Sequence, residues 1–84
     1  MTNEELIDKL KVIVKPYVKN EEGFNNLDEN TDFLNDLKIN SANLVDVILD
    51  VESEFDIIID NESMEKMLNV KAAMEIITTK LSDK

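Results

Sequence analysis

The sequence contains no cysteine, no histidine and no arginine, and it has a single glycine and a single proline. Without cysteine, the chain can form neither a disulfide nor a thiolate metal site. Without histidine, it lacks the most common general base and the most common metal ligand. With so few glycines and prolines, strands and hairpins have little support. These absences favour a helical protein that is not an enzyme.

Charge of one sign dominates the chain. Nineteen acidic residues are set against nine lysines, which gives a net charge of −10 over 84 residues. Such a charge opposes binding to nucleic acid and to anionic membrane surfaces, and it favours basic protein partners. Residues 41–65 hold eight of the acids and no lysine. A face that serves solubility alone would more often mix its signs, so we interpret this segment as facing a partner.

The length of 84 residues fits one domain that spans positions 1–84. A chain this short has a thin core and no deep interior for a large active site. No apolar run approaches the roughly 18 residues that a membrane span needs. The first residues, MTNEELIDKLK, are acidic and periodic, unlike a signal peptide. We therefore expect a soluble, cytoplasmic protein, and we expect a monomer.

Apolar residues recur at helical spacing along most of the chain. The predicted helices are I (3–18), II (41–54), a short III (61–67) and IV (70–81). Suitable N-cap residues precede them, namely Thr2, Asn40, Asp60 or Asn61, and Asn69. Residues 19–40 form a long loop whose apolar residues pack onto the helices, and the segment 57–59 is an apolar loop on the core. The sequence thus predicts an all-α fold, a small four-helix bundle with a long loop after helix I and a short third helix.

Two polar patterns resemble functional motifs without completing them. Asp28, Asn30 and Asp32 begin like a calcium-binding EF-hand loop. Phe33 then replaces the required glycine, and Ile39 replaces the final glutamate. Carboxylates on helix II lie among other acids in water, which does not favour acid–base catalysis. We therefore predict a polar loop and no metal site.

Ser41 stands at the predicted start of helix II. No histidine is present to activate it as a nucleophile. A helix N-terminus presents unpaired N–H groups and the positive end of the helix dipole, which favours an attached phosphate group. The simpler alternative is an ordinary helix start.

A second apolar stripe follows Ser41 on helix II, beside the stripe that faces the core. It consists of Ala42, Val45 and Leu49. Acids flank it, namely Asp46, Asp50 and Glu52. The stripe either widens the buried face or forms a small docking patch with a charged rim, and periodicity alone leaves both interpretations open.

The stretch from Phe33 to Val70 resembles the acyl carrier protein family. Members of that family typically show D-S-L at the start of the second helix, E-x-E-F-[DG]-[IV] at its end, and T-V or S-V at the start of the fourth. The corresponding segments here are Asn40-Ser41-Ala42, Glu52-Ser53-Glu54-Phe55-Asp56-Ile57 and Asn69-Val70. With helices I and IV included, the similarity covers nearly the whole chain.

The resemblance implies that a phosphopantetheinyl transferase attaches the phosphopantetheine of coenzyme A to Ser41, next to Asn40. The thiol of that arm would carry acyl thioesters in fatty-acid, type II polyketide or aryl-polyene-like biosynthesis. Partners would be enzymes with basic patches, of the ketosynthase, acyltransferase and reductase types. The implied docking residues are Ala42, Val45, Asp46, Leu49, Asp50 and Glu52. The implied acyl pocket is formed by Val51, Phe55, Ile59, Met64 and Met67.

Two positions depart from the family pattern. Asn40 replaces an aspartate that helps to position magnesium during arm transfer, and it keeps the capping oxygen without the charge. Ala42 replaces a large apolar residue that contacts partners. These departures indicate a specialised carrier. Two alternatives stay open, namely a carrier for aminoacyl groups and an unmodified acidic interaction module.

Overall fold

Residues 2–83 are described by a computed structural model. The helical elements, in chain order, are α1 (Asn3–Val14), a 3-10 turn (Lys15–Tyr17), α2 (Glu21–Asn25), α3 (Ser41–Phe55), α4 (Asn61–Lys66) and α5 (Val70–Ser82). Residues 2–83 form no strand, and their single β-type pairing is an isolated bridge between Asp32 and Asn69. The prediction of a small all-α bundle is confirmed. None of these helices is long and apolar enough to cross a bilayer.

The four predicted helices begin where the sequence predicts. Each of these four starts has a side-chain oxygen that accepts a backbone N–H from the first turn, and this satisfies one of the donors that a helix leaves unpaired. The capping residues are Thr2 for α1, Asn40 for α3, Asp60 for α4 and Asn69 for α5. Of the two candidates for α4, the structure selects Asp60, whose Oδ1 lies 2.7 Å from the Ser63 nitrogen.

The first helix is shorter than predicted. It ends at Val14 instead of position 18, and the chain continues through a 3-10 turn that contains Pro16. Proline lacks a backbone N–H and its ring collides with the preceding helical turn, so the α-helix cannot continue through it. Val18 already has extended dihedral angles, with φ of −70° and ψ of 132°.

The predicted long loop contains a short helix, α2, which the sequence analysis missed. The helix contains the single glycine of the sequence, Gly23, although glycine normally disfavours a helix. The remainder of the connection packs onto the bundle, as predicted. Its buried side chains are Leu27, Thr31, Phe33, Leu37 and Ile39.

Polar side chains of the connection serve its own turns. Asp28 Oδ1 accepts the Asn30 N–H at 2.8 Å, and Asp32 Oδ1 accepts the Leu34 N–H at 2.8 Å. Backbone bonds then attach the connection to the start of α5, since the Val70 N–H donates to the Thr31 carbonyl at 2.9 Å. These contacts agree with the interpretation of residues 28–32 as a polar loop.

One cluster of buried side chains joins α1, α3 and α5. The contributions are Leu6, Leu10 and Val14 from α1, Leu44, Val47, Ile48, Val51 and Phe55 from α3, and Val70, Ala73, Met74 and Ile77 from α5. The segment after α3 behaves as an extended chain whose side chains alternate. Ile57 and Ile59 are buried, whereas Ile58 is 82% exposed. The prediction that all three isoleucines pack on the core is therefore wrong for Ile58.

Candidate functional site

Ser41 is the first residue of α3 and is exposed. The preceding residue, Asn40, performs the capping, since its Oδ1 accepts the Asn43 N–H at 2.8 Å and its carbonyl accepts the Leu44 N–H at 2.9 Å. The Ser41 hydroxyl has no hydrogen-bond partner among residues 2–83. Asn40 and not Ser41 therefore caps the helix, and Ser41 lies on the exposed surface.

The start of α3 gives the surroundings of Ser41 a positive electrostatic character. The first turn of α3 presents backbone N–H groups and the positive end of a 15-residue helix. The chain holds no histidine to accept the hydroxyl proton. Within residues 2–83, no group of three or more His, Cys, Asp or Glu side chains is placed to hold a metal ion.

An apolar strip runs from Ser41 along the exposed side of α3, and it consists of Ala42, Val45 and Leu49. Val45 is 44% exposed and Leu49 is 52% exposed, and Ala42 is also exposed. The core face of the same helix, which includes Val47 and Ile48, is buried. Of the two interpretations that periodicity left open, the structure excludes a widened core, because the strip faces solvent.

Beside the apolar strip lies an acidic edge, formed by Asp46, Asp50 and Glu54 at successive turns of α3. Asp50 Oδ2 accepts a hydrogen bond from the Tyr17 hydroxyl at 3.0 Å. Glu54 Oε1 is paired with Lys9 Nζ at 2.9 Å. Asp46 is exposed and has no hydrogen-bond or ion-pair partner within the described part of the chain. This edge therefore faces the N-terminal segment, and only its first carboxylate is unpartnered.

The negative charge of this edge affects the pKa of the Tyr17 hydroxyl. Its pKa is raised above the ordinary value of 10.0, first by its hydrogen bond to Asp50, then by burial, and then by the negative charges of Asp50 and Asp46. A phenolate would lose the donated hydrogen bond and would face two carboxylates. Asp46 and Asp50 thus both contribute negative charge at this hydroxyl.

Glu52 lies apart from the other predicted docking acids. It is half-buried, and its Oε2 accepts the Ile59 N–H at 2.7 Å. This bond ties the segment after α3 to the helix. The structure thus brings together Ala42, Val45, Asp46, Leu49 and Asp50 on the surface of α3, and it gives Glu52 an internal hydrogen bond.

The residues of the predicted acyl pocket belong to the hydrophobic core or pack against it. Val51, Phe55, Ile59 and Met67 are buried in the core cluster, and Met64 is partly buried against that cluster. These side chains pack against the core in the described structure. A guest would enter by displacing them, and the two methionines are the side chains best able to repack around it.

Two side chains that shape the site were not identified from the sequence. The Tyr17 hydroxyl reaches Asp50, a contact that the sequence does not predict. Lys9 was counted only as one of the lysines, whereas it pairs with Glu54. Both contacts join residues more than 30 positions apart in the sequence, and no local pattern indicates such pairs.

The surface of α3 is the basis for any assignment of function. No protein-family model matches the sequence, and no curated protein matches it. The resemblance of residues 33–70 to acyl carrier proteins therefore rests on the motifs alone. What the structure adds is the exposure of Ser41 and the arrangement of the apolar strip and the acidic edge beside it.

Proposed function

We propose that the protein is a carrier of the acyl carrier protein type, in which the Ser41 hydroxyl is joined to phosphopantetheine. The supporting observation is that Ser41 is exposed at the start of α3 with its hydroxyl unengaged. An attached phosphodiester would lie at the positive end of the helix dipole, where it is favoured electrostatically. We place the carrier in the cytoplasm, where coenzyme A would supply the arm.

The modification is a group transfer carried out by a second protein. The Ser41 oxygen would attack the phosphorus that bears the pantetheine, and the bond from that phosphorus to the adenosine bisphosphate of coenzyme A would break. The hydroxyl proton would pass to a base of the transferase, since this chain has no histidine to accept it. The thiol of the arm would then carry acyl groups as thioesters, a function that the cysteine-free chain cannot perform by itself.

The surface of α3 supports docking by enzymes with basic patches. The apolar strip supplies exposed area, and Asp46 and Asp50 supply charge at its border. A net charge of −10 would also steer a basic partner toward the carrier. Ketosynthase, acyltransferase and reductase types of enzyme are the partners that this function requires. The acyl chain would be sheltered among Val51, Phe55, Ile59, Met64 and Met67.

Intact-mass measurement tests the proposal directly. The protein is incubated with coenzyme A, magnesium and a phosphopantetheinyl transferase of broad specificity, and we expect a gain of one phosphopantetheine. Ser41→Ala should abolish the gain. Ser53→Ala is the matched control, because Ser53 is also an exposed serine of α3, and it should be modified like the unaltered protein.

The exposed apolar strip also favours a second function, that of an unmodified acidic interaction module. Absence of a mass gain with several transferases would contradict the carrier proposal and support this module. A carrier for aminoacyl groups would give the same mass gain. The group carried by the protein isolated from its own host distinguishes an aminoacyl carrier from an acyl carrier.

A further inference from the structure

The three carboxylates of the acidic edge have different partners. Glu54 is paired with the ammonium of Lys9, Asp50 accepts the neutral hydroxyl of Tyr17, and Asp46 has no partner within residues 2–83. The three positions lie four residues apart, so their side chains project from successive turns on one side of α3. Along the edge, the carboxylate of Glu54 is therefore neutralised by an ion pair, whereas that of Asp46 is unpartnered.

A phenol and an ammonium have different effects on a carboxylate. Lys9 cancels the charge of Glu54, which weakens the attraction of Glu54 for another cation. The Tyr17 hydroxyl donates a hydrogen bond but carries no positive charge, so it does not cancel the charge of the Asp50 carboxylate. The hydrogen bond occupies Asp50 Oδ2, so Oδ1 is the atom that a further donor would approach. Tyr17 thus restricts the orientation of Asp50 without neutralising it.

We propose that Tyr17 is a positioning residue for docking of the phosphopantetheinyl transferase, in which its hydroxyl holds the Asp50 carboxylate beside Asp46 so that both accept one basic side chain of that enzyme. This inference rests on the proposed function. Side chains at i and i+4 on a helix lie roughly 5–6 Å apart at Cβ, a separation that one lysine or arginine head group can bridge.

Because Tyr17 already holds the Asp50 side chain in place, less side-chain conformational entropy is lost when a partner docks. Immobilising one side chain at an interface corresponds to about a 2- to 10-fold change in affinity. Tyr17→Phe keeps the ring, which packs against the core, and it removes only the donor. We therefore expect Tyr17→Phe to raise the KM for the carrier by about 2- to 10-fold and to leave kcat unchanged.

Steady-state kinetics of arm transfer, measured by the mass gain on Ser41, test the inference. The proteins to compare are the unaltered carrier, Tyr17→Phe, Asp50→Asn and the double variant. If Tyr17 acts through Asp50, its substitution has no further effect on KM in the Asp50→Asn background. Lys9→Met is the matched control, because it removes the other side-chain tie from the N-terminal segment to this edge without touching Asp50. It should not raise KM.

Three outcomes would overturn the inference while leaving the carrier proposal intact. The first is an unchanged or lowered KM for Tyr17→Phe. The second is an increase in KM from Tyr17→Phe that is as large in the Asp50→Asn background as in the unaltered carrier. The third is an increase in KM for Lys9→Met as large as that for Tyr17→Phe, which would assign the effect to loosened helix packing. Failure of the unaltered protein to accept the arm from any transferase would instead overturn the carrier function, and this inference with it.

Discussion

Gly23 of α2 lies directly against the backbone carbonyl of Asp36, and a Cβ atom at position 23 would overlap that oxygen. The same oxygen accepts a hydrogen bond from Asn20 Nδ2 at 2.8 Å. One residue further on, the Leu37 carbonyl accepts the Lys19 N–H at 3.1 Å. These contacts fix the segment around α2 to the stretch of chain that leads to Ser41.

Gly23→Ala should destabilise the protein. Alanine favours a helix over glycine by about 1 kcal/mol, so helix propensity alone predicts a gain. The opposing contact is with a backbone carbonyl that cannot rotate away, and overpacking of this kind costs about 1–3 kcal/mol. We expect a net loss in the free energy of unfolding, measured by urea denaturation. Asn25→Ala, an exposed change on the same helix, should stay within about 0.5 kcal/mol, and a stabilised Gly23→Ala would show that the contact is not tight.

The same contact explains why α2 could not be predicted. Local sequence shows a glycine among asparagines and acids, which is typical of a loop. The segment around α2 is held by the hydrogen bond from Asn20 to the Asp36 carbonyl, 16 positions away, and glycine at position 23 leaves room for that carbonyl. The long helices were predictable because their apolar spacing and capping residues are local features. The early end of α1 follows from Pro16, because proline interrupts the last turn of the predicted helix 3–18.

Lys38 has a φ of 59°, in the left-handed region, and lies three residues before Ser41. A residue with a Cβ loses roughly 1–2 kcal/mol in this conformation, whereas glycine adopts it freely. Glycine also makes the unfolded chain more flexible, which offsets roughly 0.4–1 kcal/mol of that gain. We expect Lys38→Gly to raise the free energy of unfolding by about 0.5–1 kcal/mol.

Lys38→Ala is the control for this prediction. It removes the same charge but keeps the Cβ, so the left-handed conformation stays unfavourable. Urea denaturation should show the alanine variant close to the unaltered protein. If both variants are stabilised equally, the gain comes from removing the lysine side chain and not from relief of the backbone.

Asp60 makes the stability of the α4 region dependent on pH. Its pKa is lowered from the ordinary value of 3.8, first by the hydrogen bond from the Ser63 N–H, and also by Lys80, whose Nζ lies 3.5 Å from Oδ2. Because the folded pKa is below the unfolded pKa, the contribution of Asp60 is fully present above 3.8 and is lost as the pH falls through the folded value.

Asp60→Asn provides the test of this pH dependence. Asparagine keeps an oxygen that can cap α4 but loses the charge. At neutral pH the variant should be less stable than the unaltered protein, and the difference should shrink as the pH is lowered below 3.8. Urea denaturation over a series of pH values measures this. Asp60→Ala should be less stable than Asp60→Asn at neutral pH, and a difference that does not change with pH would contradict the assignment.

The candidate site was only partly predictable from the sequence. The apolar strip and the place of Ser41 at the start of α3 follow from local sequence, because helical spacing and capping residues are local features. The role assigned to Ser41 rests on the family resemblance. Whether that strip is buried depends on where the other helices pack, and the sequence left it open. The Tyr17–Asp50 contact spans 33 positions, so it exists only in the folded protein. The same holds for Glu52, whose partner Ile59 lies beyond the end of α3.

Substitutions at two neighbouring residues of α3 should distinguish an effect on stability from an effect on docking. Ile48 is buried and Leu49 is 52% exposed, although they are adjacent in the sequence. Ile48→Ala should lower the free energy of unfolding by about 2–5 kcal/mol, since it removes buried apolar volume and leaves a cavity. Leu49→Ala should change it by less than about 0.5 kcal/mol. Urea denaturation of both variants measures these values.

The KM for arm transfer to Ser41 should respond to the two substitutions in the opposite order from stability, with the larger effect for Leu49→Ala and the smaller for Ile48→Ala. If the apolar strip is a docking surface, Leu49→Ala loses contact area with the transferase, and its KM should rise at a temperature where both variants are folded. Ile48→Ala leaves the exposed surface unchanged, so its KM should stay close to that of the unaltered protein. A KM that follows the loss of stability instead of the loss of exposed apolar area would show that the strip plays no part in docking.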